Sequence, residues 1–433
     1  MTEKIYWESW NGNIRHPYIN YFEPQTENEI AALVRESPAS IRIIGTGRSS
    51  ADITAGTDTL ISLRKYKQVV HVNIEKYQIT VESGILLSEL LEELEKLNWS
   101  LTALPDIDCI SVGGALSTGT HGTGRDAHLL SGYMVGCRLI TASGEIHEFN
   151  DQNEYMEAVR VSVGLLGVLS TVTFQCEPIF YLNLLERPMR DKDWLIAYRH
   201  MLKNHDFLRI LWLPHTGFGY VITGDRCLKQ KQQEPVLGPS FIKYRRAVSA
   251  MLYRWTGRLP LLTVVANKIL FNLFFRWHCK SAGSLYNTTV TKSRGSTLEL
   301  SEWTIALERF EAVFSDLQDE LNSLKNRSFV HIPMDIRFIR ADNTWLSYGY
   351  DCDTVTIGCV CRRAEDADRY AAFEAVQRIF FRHGGRPHWA KRHTLSTEEL
   401  RSIYPRWDDF IALRRKMDPE GKFLSPSLKN IFG

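Results

Sequence analysis

The sequence has no C-x-x-C pair. Its eight cysteines, at 109, 137, 176, 227, 279, 352, 359 and 361, are scattered over 433 residues, which argues against a zinc or thioredoxin-like site and leads us to expect no metal. Charge of one sign is also missing. Lysine and arginine number 52 against 50 acidic residues, so no global field draws the chain to a polynucleotide, and no nucleic-acid partner is expected. No apolar run is long enough to cross a bilayer comfortably. The opening residues MTEKIYWESW carry charges and tryptophans where a secretory signal needs a basic head and an apolar stretch. A cytoplasmic, reducing setting is the expectation, with Cys359 and Cys361 as buried thiols on one face of a strand.

What is there reads as a mixed α and β protein of two domains, with a boundary near Pro178. Thr26 and Glu29 stand at capping-box spacing ahead of Ile30, Leu33 and Val34, which predicts a helix from about residue 27. Ile41 to Ile44 reads as a buried strand, and further strands are predicted at 69–74, 78–83, 133–140, 145–149 and 168–176. A helix runs through Leu87, Leu90, Leu91, Leu94 and Leu97, and Ala142-Ser143-Gly144 marks a hairpin. Trp303, Leu307, Phe310, Phe314, Leu317, Leu321 and Leu324 fall at three- and four-residue steps, predicting one amphipathic helix with a core stripe. The polar run Lys229 to Glu234 reads as a loop. Leu259 to Phe275 is nearly all apolar, broken by Asn267, Lys268 and Asn272. It is flanked by Arg245, Arg246, Arg254, Arg258 and Arg276 and bracketed by Trp255 and Trp277. Such a segment is either an ordinary buried helix or one that lies in a membrane interface.

Two glycine-rich loops carry the first chemical signal. Gly45-Thr46-Gly47-Arg48-Ser49-Ser50 leaves the strand at Ile44. Ser111 to Gly124 places five glycines among the hydroxyls of Ser117, Thr118, Thr120 and Thr123. Backbone N–H groups and hydroxyls together can neutralise a pyrophosphate. Neither loop is G-x-G-x-x-G followed by an acidic residue, which disfavours a Rossmann nicotinamide site, and a pair of loops suits an extended dinucleotide. The second signal lies near the other end. His388-Trp389-Ala390-Lys391 and His393 follow Gly384-Gly385-Arg386-Pro387; the histidine spacing is poor for a metal, and Lys391 beside His388 could polarise a hydroxyl or could belong to a polar loop. Asp335 and Arg337 fall on one strand face, either as a structural ion pair or as a platform for sugar hydroxyls.

Together these stretches resemble the vanillyl-alcohol-oxidase (PCMH) type of FAD enzyme, in its branch of L-gulonolactone and D-arabinonolactone oxidases. The resemblance runs from Trp7 and Trp10 through Gln78 to Glu82 and the Ser111 loop to His388-Trp389-Ala390-Lys391 and Met417 to Phe423. It implies an α+β fold, with a two-subdomain FAD-binding domain over 1–178 and an α+β substrate domain over 179–433 whose last segment returns to cover the flavin. It implies FAD contacts from Gly45, Thr46, Gly47, Arg48, Ser49, Ser50, Ser111, Gly114, Ser117, Gly119, Thr120, His121, Gly122, Val168 and Lys391. Lys391, Arg337, Asp335 and His388 would be catalytic. The implied reaction moves a hydride from an alcohol carbon of a sugar-1,4-lactone to flavin N5, with O2, a quinone or a cytochrome as final acceptor.

Arg48 stands where relatives carry the histidine linked to flavin, which implies FAD held without a covalent bond. Asp335 stands where the family has glutamate, which leaves the substrate open. Alternatives are an alditol oxidase, a dehydrogenase docked on the inner membrane face through residues 259–275 and acting on a sugar or a lipid-linked sugar, and a flavin-binding protein without turnover.

Overall fold

The computed structural model describes residues 5–12, 14–38, 40–228, 239–256, 259, 261–290, 298–323, 330–362 and 371–433. Lys229 to Glu234, Arg258 and Leu324 lie outside them, as do the side chains of Trp255 and Cys361. Helix α1 (Glu27–Glu36) opens as its cap predicts: Thr26 Oγ1 accepts the Glu29 amide at 3.2 Å, while the Glu29 carboxylate takes the Gln25 amide at 2.7 Å. The neighbouring strands β1 (Asn20–Phe22), β2 (Ile41–Ile44) and β3 (Thr59–Ser62) form a parallel sheet with β3 in the middle. Ile30 and Val34 share a core with Ile41, Ile61 and, from the far end of the chain, Phe423.

A second sheet is antiparallel, with strands β4 (Val69–Asn73), β5 (Gln78–Glu82), β6 (Met134–Ile140), β7 (Ile146–Asn150) and β8 (Val168–Gln175) in the order β7-β6-β8-β5-β4. The β6–β7 hairpin turns at Gly144, whose φ of 81° favours glycine. Helices α2 (Leu87–Lys96) and α3 (Val112–Ser117) connect β5 to β6.

The third sheet is the largest. Its strands β9 (Tyr181–Arg190), β10 (Phe207–Leu213), β11 (Phe218–Cys227), β12 (Cys279–Ser284), β13 (Leu298–Ala306), β14 (His331–Ile339), β15 (Thr354–Arg362) and β16 (Arg386–Pro387) run antiparallel in the order β12-β9-β11-β10-β14-β15-β13-β16. Period-two alternation divides its residues between two faces. Ile210, Trp212, Ile336, Phe338, Trp303 and Ile305 are buried on the face covered by α4 (Asp191–Asn204), α7 (Phe310–Ser323) and α8 (Ala371–Arg382); Trp194 meets Phe314, and Trp303 stacks on Phe380. Arg209, Leu211, Asp335, Arg337, Leu300 and Glu302 face a cavity on the other side.

One expectation is overturned. Trp303 lies on strand β13 and the helix begins at Phe310, so no continuous helix runs from 303. The alternation Leu300, Glu302, Thr304 against Ser301, Trp303, Ile305 pairs β13 with β15, and the four-residue step from Trp303 to Leu307 is a coincidence of register.

Over the cavity side lie α5 (Pro239–Leu252) and α6 (Leu262–Leu270), the latter running into a π-helical turn at Phe271–Phe275. Among the described residues no helix is long and apolar enough to cross a membrane. The chain then closes on its beginning. The Asp418 carboxylate accepts the Lys422 and Phe423 amides, both at 2.8 Å, the Lys422 carbonyl accepts the Ile41 amide at 2.8 Å, and buried Arg42 donates to the Phe423 carbonyl at 2.9 Å.

Candidate active site

A cavity of about 580 Å³ lies where the first glycine loop, α3 and the third sheet meet. Gly45, Thr46, Gly47, Arg48 and Ser49 line it as they leave β2, and Ser111, Gly114, Ala115, Thr118, Thr120 and His121 line it from α3 onward. The two segments touch. A Cβ at Gly45 would stand 2.1 Å from Ser111 Oγ, so a side chain there would push the two segments apart. Arg48 lies over the Trp10 ring, 5.1 Å from its centroid. The Ser50 amide donates to the Ala390 carbonyl at 2.7 Å, while its hydroxyl is buried without a hydrogen-bond partner in the protein. Ser117, Gly119, Gly122 and Val168 stand behind the cavity wall. Gly119 packs on the Tyr348 phenol, Gly122 on the Leu104 backbone, and Val168 is in the core beside Ile140. Exposed backbone, converging hydroxyls and an unpaired buried donor suit a long ligand rich in phosphate and ribose oxygens, as FAD is.

Side chains form the opposite wall. The Arg209 fork on β10 holds the Asp335 carboxylate of β14 at 2.8 and 2.6 Å, and the Arg337 guanidinium, also on β14, lies 3.4 Å from it. Arg337 reaches on to Glu302 of β13 at 2.6 Å. Register sets this up: Arg209 pairs with Arg337, and both Asp335 and Glu302 pair with Gly358 of β15. Gly358 therefore lies between two carboxylates with no side chain to fill the gap. Burial alone would raise both acids, but Arg209 and Arg337 hold Asp335 below the usual carboxylate range, and Arg337 with His121 holds Glu302 well below it.

The segment 388–391 is aimed by its neighbours. The His388 amide donates to the Glu302 carbonyl at 3.0 Å, the Trp389 indole donates to the Leu346 carbonyl at 2.8 Å and stacks on Tyr404, and Arg386 gathers the carbonyls of Tyr348 and Tyr350 at 3.1 and 3.2 Å. His388 and Lys391 are thereby turned into the cavity. Burial lowers the His388 pKa well below the ordinary value and keeps the ring neutral. Its Nδ1 accepts the Ala390 amide at 3.1 Å, which leaves Nε2–H as a donor. Both His121 nitrogens face oxygens, Gly122 O at 2.9 Å and Glu302 Oε1 at 3.1 Å. Burial, then the Arg337 charge, lowers its pKa, and the neutral ring donates to only one of them.

The ligand atoms of His121, Glu302 and His388 lie within 4.8 Å of one another, the spacing of a metal cluster. Arg337 already supplies a positive charge to that carboxylate at 2.6 Å, so a divalent cation would meet repulsion there.

The structure brings Lys391, Arg337, Asp335 and His388 together, and it adds Arg209 and Glu302, which the sequence reading passed over. A signal existed: Arg209 is the single charge in the apolar strand Phe207–Leu213, and a lone charge inside a strand that reads as buried needs a partner.

Comparison with known proteins places this geometry. The family model described as D-arabinono-1,4-lactone oxidase matches residues 172–431, and the one described as FAD binding domain matches 19–150. L-gulonolactone oxidase of Scyliorhinus torazame is 31% identical over 95% of this chain and 94% of its own, and L-gulono-1,4-lactone dehydrogenase of Mycobacterium tuberculosis is 28% identical over 99% of each. Among solved structures, cholesterol oxidase from B. sterolicum superposes with a TM-score of 0.80 at 15% identity, covering 100% of this chain and 97% of its own, a likeness of fold. The chain has the mixed α+β vanillyl-alcohol-oxidase fold and belongs to the D-arabinono-1,4-lactone oxidase family, FAD-dependent oxidoreductases that act on CH–OH groups of small molecules.

Proposed function

We propose that the protein oxidises a secondary or primary alcohol on a sugar-1,4-lactone of the gulono-, galactono- or arabinono-lactone type. The observation that carries this reading is the meeting of Arg209, Asp335, Arg337, Glu302 and Lys391 at the end of the cavity that the glycine loops enter. Carboxylates that accept and guanidinium forks that donate can together hold several hydroxyls of one small sugar. FAD, which Gly45 to Ser49, Ser111, Gly114, Thr120 and His121 would hold from the cavity wall while Ser117, Gly119, Gly122 and Val168 shape that wall from behind, would supply the two-electron acceptor for the C–H bond that breaks. Lys391 and Arg337 stabilise the negative charge that grows on the substrate oxygen, and the His388 Nε2–H donates to the same region. Asp335, one methylene shorter than glutamate and clamped by Arg209, orients the neighbouring hydroxyls.

The FAD is bound without a covalent link, because Arg48 has no imidazole to offer and its guanidinium is engaged over Trp10. Acid precipitation should release the yellow colour into the supernatant. The reading extends to O2, a quinone or a cytochrome as acceptor, and to a cytoplasmic protein that contacts the inner membrane face through residues 259–275. A second reading, a membrane-associated dehydrogenase of an alditol or lipid-linked sugar, draws on the apolar limb of the cavity walled by Leu184, Leu211, Ile222 and Phe275.

Anaerobic absorbance titration with L-gulono-, L-galactono- and D-arabinono-lactone and with xylitol tests both. Bleaching of the flavin band by a lactone supports the first reading, bleaching by xylitol alone moves the assignment to alditols, and the rate of recolouring in air separates oxidase from dehydrogenase. A flavin that no lactone bleaches sinks the lactone assignment.

A further inference from the structure

From Pro235 to Leu298 the sequence contains ten lysines and arginines and neither aspartate nor glutamate, in a chain that is near charge balance as a whole. The described part of this stretch holds α5, α6 and the π-helical turn. Its inner stripe is fixed: Ala266, Asn267, Leu270 and Phe274 are buried, and the Asn267 amide donates to the Pro214 and Val330 carbonyls at 3.1 and 3.2 Å while accepting the Tyr253 hydroxyl at 2.6 Å. With that face anchored, the opposite stripe cannot turn inward. Leu262 is 39% exposed, Val265 52%, Ile269 40% and Leu273 50%, at three- and four-residue steps, and the row continues into Trp277 at 67%. Lys268, Arg276 and Lys280 are exposed beside it.

A row of large apolar side chains facing water marks an interaction surface. Its basic surroundings decide the partner. A second copy would bring the same positive segment against itself, whereas anionic headgroups neutralise it while the apolar row enters the acyl boundary. We propose that α6 and the turn at Phe271–Phe275 form a docking surface for an anionic phospholipid bilayer. The assignment rests on the membrane contact read for residues 259–275 and adds the lipid charge and the side chains that enter. The same element walls the cavity with Leu270 and Phe275, so the docked face and the reaction chamber share a helix.

The test is flotation of the FAD-loaded protein with vesicles of phosphatidylcholine, alone or mixed with phosphatidylglycerol. Binding to the mixed vesicles should exceed binding to phosphatidylcholine alone by about tenfold or more and should weaken with salt. The triple variant Val265→Ser, Ile269→Ser, Leu273→Ser should lose at least about tenfold in binding while keeping its FAD content and its turnover with a soluble acceptor. Lys268→Gln with Arg276→Gln and Lys280→Gln should remove the preference for phosphatidylglycerol. Equal binding to both vesicles would overturn the charge assignment and leave membrane contact standing; no binding to either would overturn both. A wild-type dimer that the serine variant dissolves, without vesicle binding, would assign the surface to a second copy. Lactone turnover is measured on the same samples, so the fate of the proposed reaction is read separately.

Discussion

The two walls of the cavity are built differently. On the side proposed to hold FAD the lining comes from backbone and short hydroxyls in two segments, 45–49 and 111–121, and glycine at 45 lets those segments approach. On the sheet side it comes from long charged side chains on separate strands, with Arg209 and Asp335 126 residues apart in sequence and Arg337 and Glu302 35 apart. The first wall depends on the absence of side chains, the second on their mutual neutralisation. Cofactor retention and chemistry should therefore be separable by mutation.

The largest effect expected is on the chemical wall. Lys391→Met should slow substrate-dependent flavin reduction by about 100-fold or more, since a preorganised charge aimed at a developing oxyanion is worth that much. FAD content should stay at the wild-type level, because the 388–391 segment is held to the first glycine loop through the Ala390 carbonyl, a backbone atom the substitution leaves in place. Stopped-flow mixing under anaerobic conditions measures the first and the absorbance ratio of the purified protein the second; a wild-type reduction rate would take the lysine out of the mechanism.

Next in size is the stability of that wall. Glu302→Gln removes the charge that Arg337 meets at 2.6 Å in a buried site, and breaking such a pair costs about 3 kcal/mol. Denaturant unfolding of the FAD-loaded protein should register the loss. An unchanged midpoint would mean that Asp335 alone satisfies Arg337.

The opposite wall gives the converse result. Gly45→Ala puts a methyl against Ser111 Oγ and forces the loops apart, which should weaken FAD retention by about tenfold, the equivalent of roughly 1 to 2 kcal/mol of overpacking. Titrating FAD back into the stripped variant measures this. The fraction that carries FAD should be reduced by substrate at the wild-type rate, and a slowed rate there would show that the two walls are coupled.

The contrast also explains what the sequence disclosed. The Thr26 cap and the hairpin at Gly144 rest on contacts within a few residues, and each is found where local pattern predicts it, whereas residues 112–117 of the second glycine-rich segment, read as loop, form α3. Asp335 and Arg337 were legible as a pair because strand period puts i and i+2 on one face. Their partners were not, since Arg209 and Glu302 join them only through the order of strands in the third sheet. Trp303 misled for a related reason: its spacing to Leu307 suits a helix, and the pairing with β15 that makes it a strand lies some fifty residues away.

The smallest effect sharpens the comparison from outside the contact layer. His393 is two residues beyond Lys391, with Nδ1 buried and without a hydrogen-bond partner in the protein, and burial lowers its pKa from the ordinary 6.5 to about 4. The unfolded chain binds a proton at this ring as pH falls below 6.5 while the folded chain resists until about 4, so the histidine's effect on stability is nil above 6.5 and destabilising across that window. The expected slope is about 1 kcal/mol per pH unit. His388 and His121, also lowered by burial, add to it, so His393→Gln should make the acid decline shallower without abolishing it. Thermal midpoints from pH 7 to 4.5 for both proteins give the difference directly. Parallel curves would mean that the ring reaches solvent before the protein unfolds, and the chemical wall would then be looser at its edge than the packing of Trp389 on Tyr404 implies.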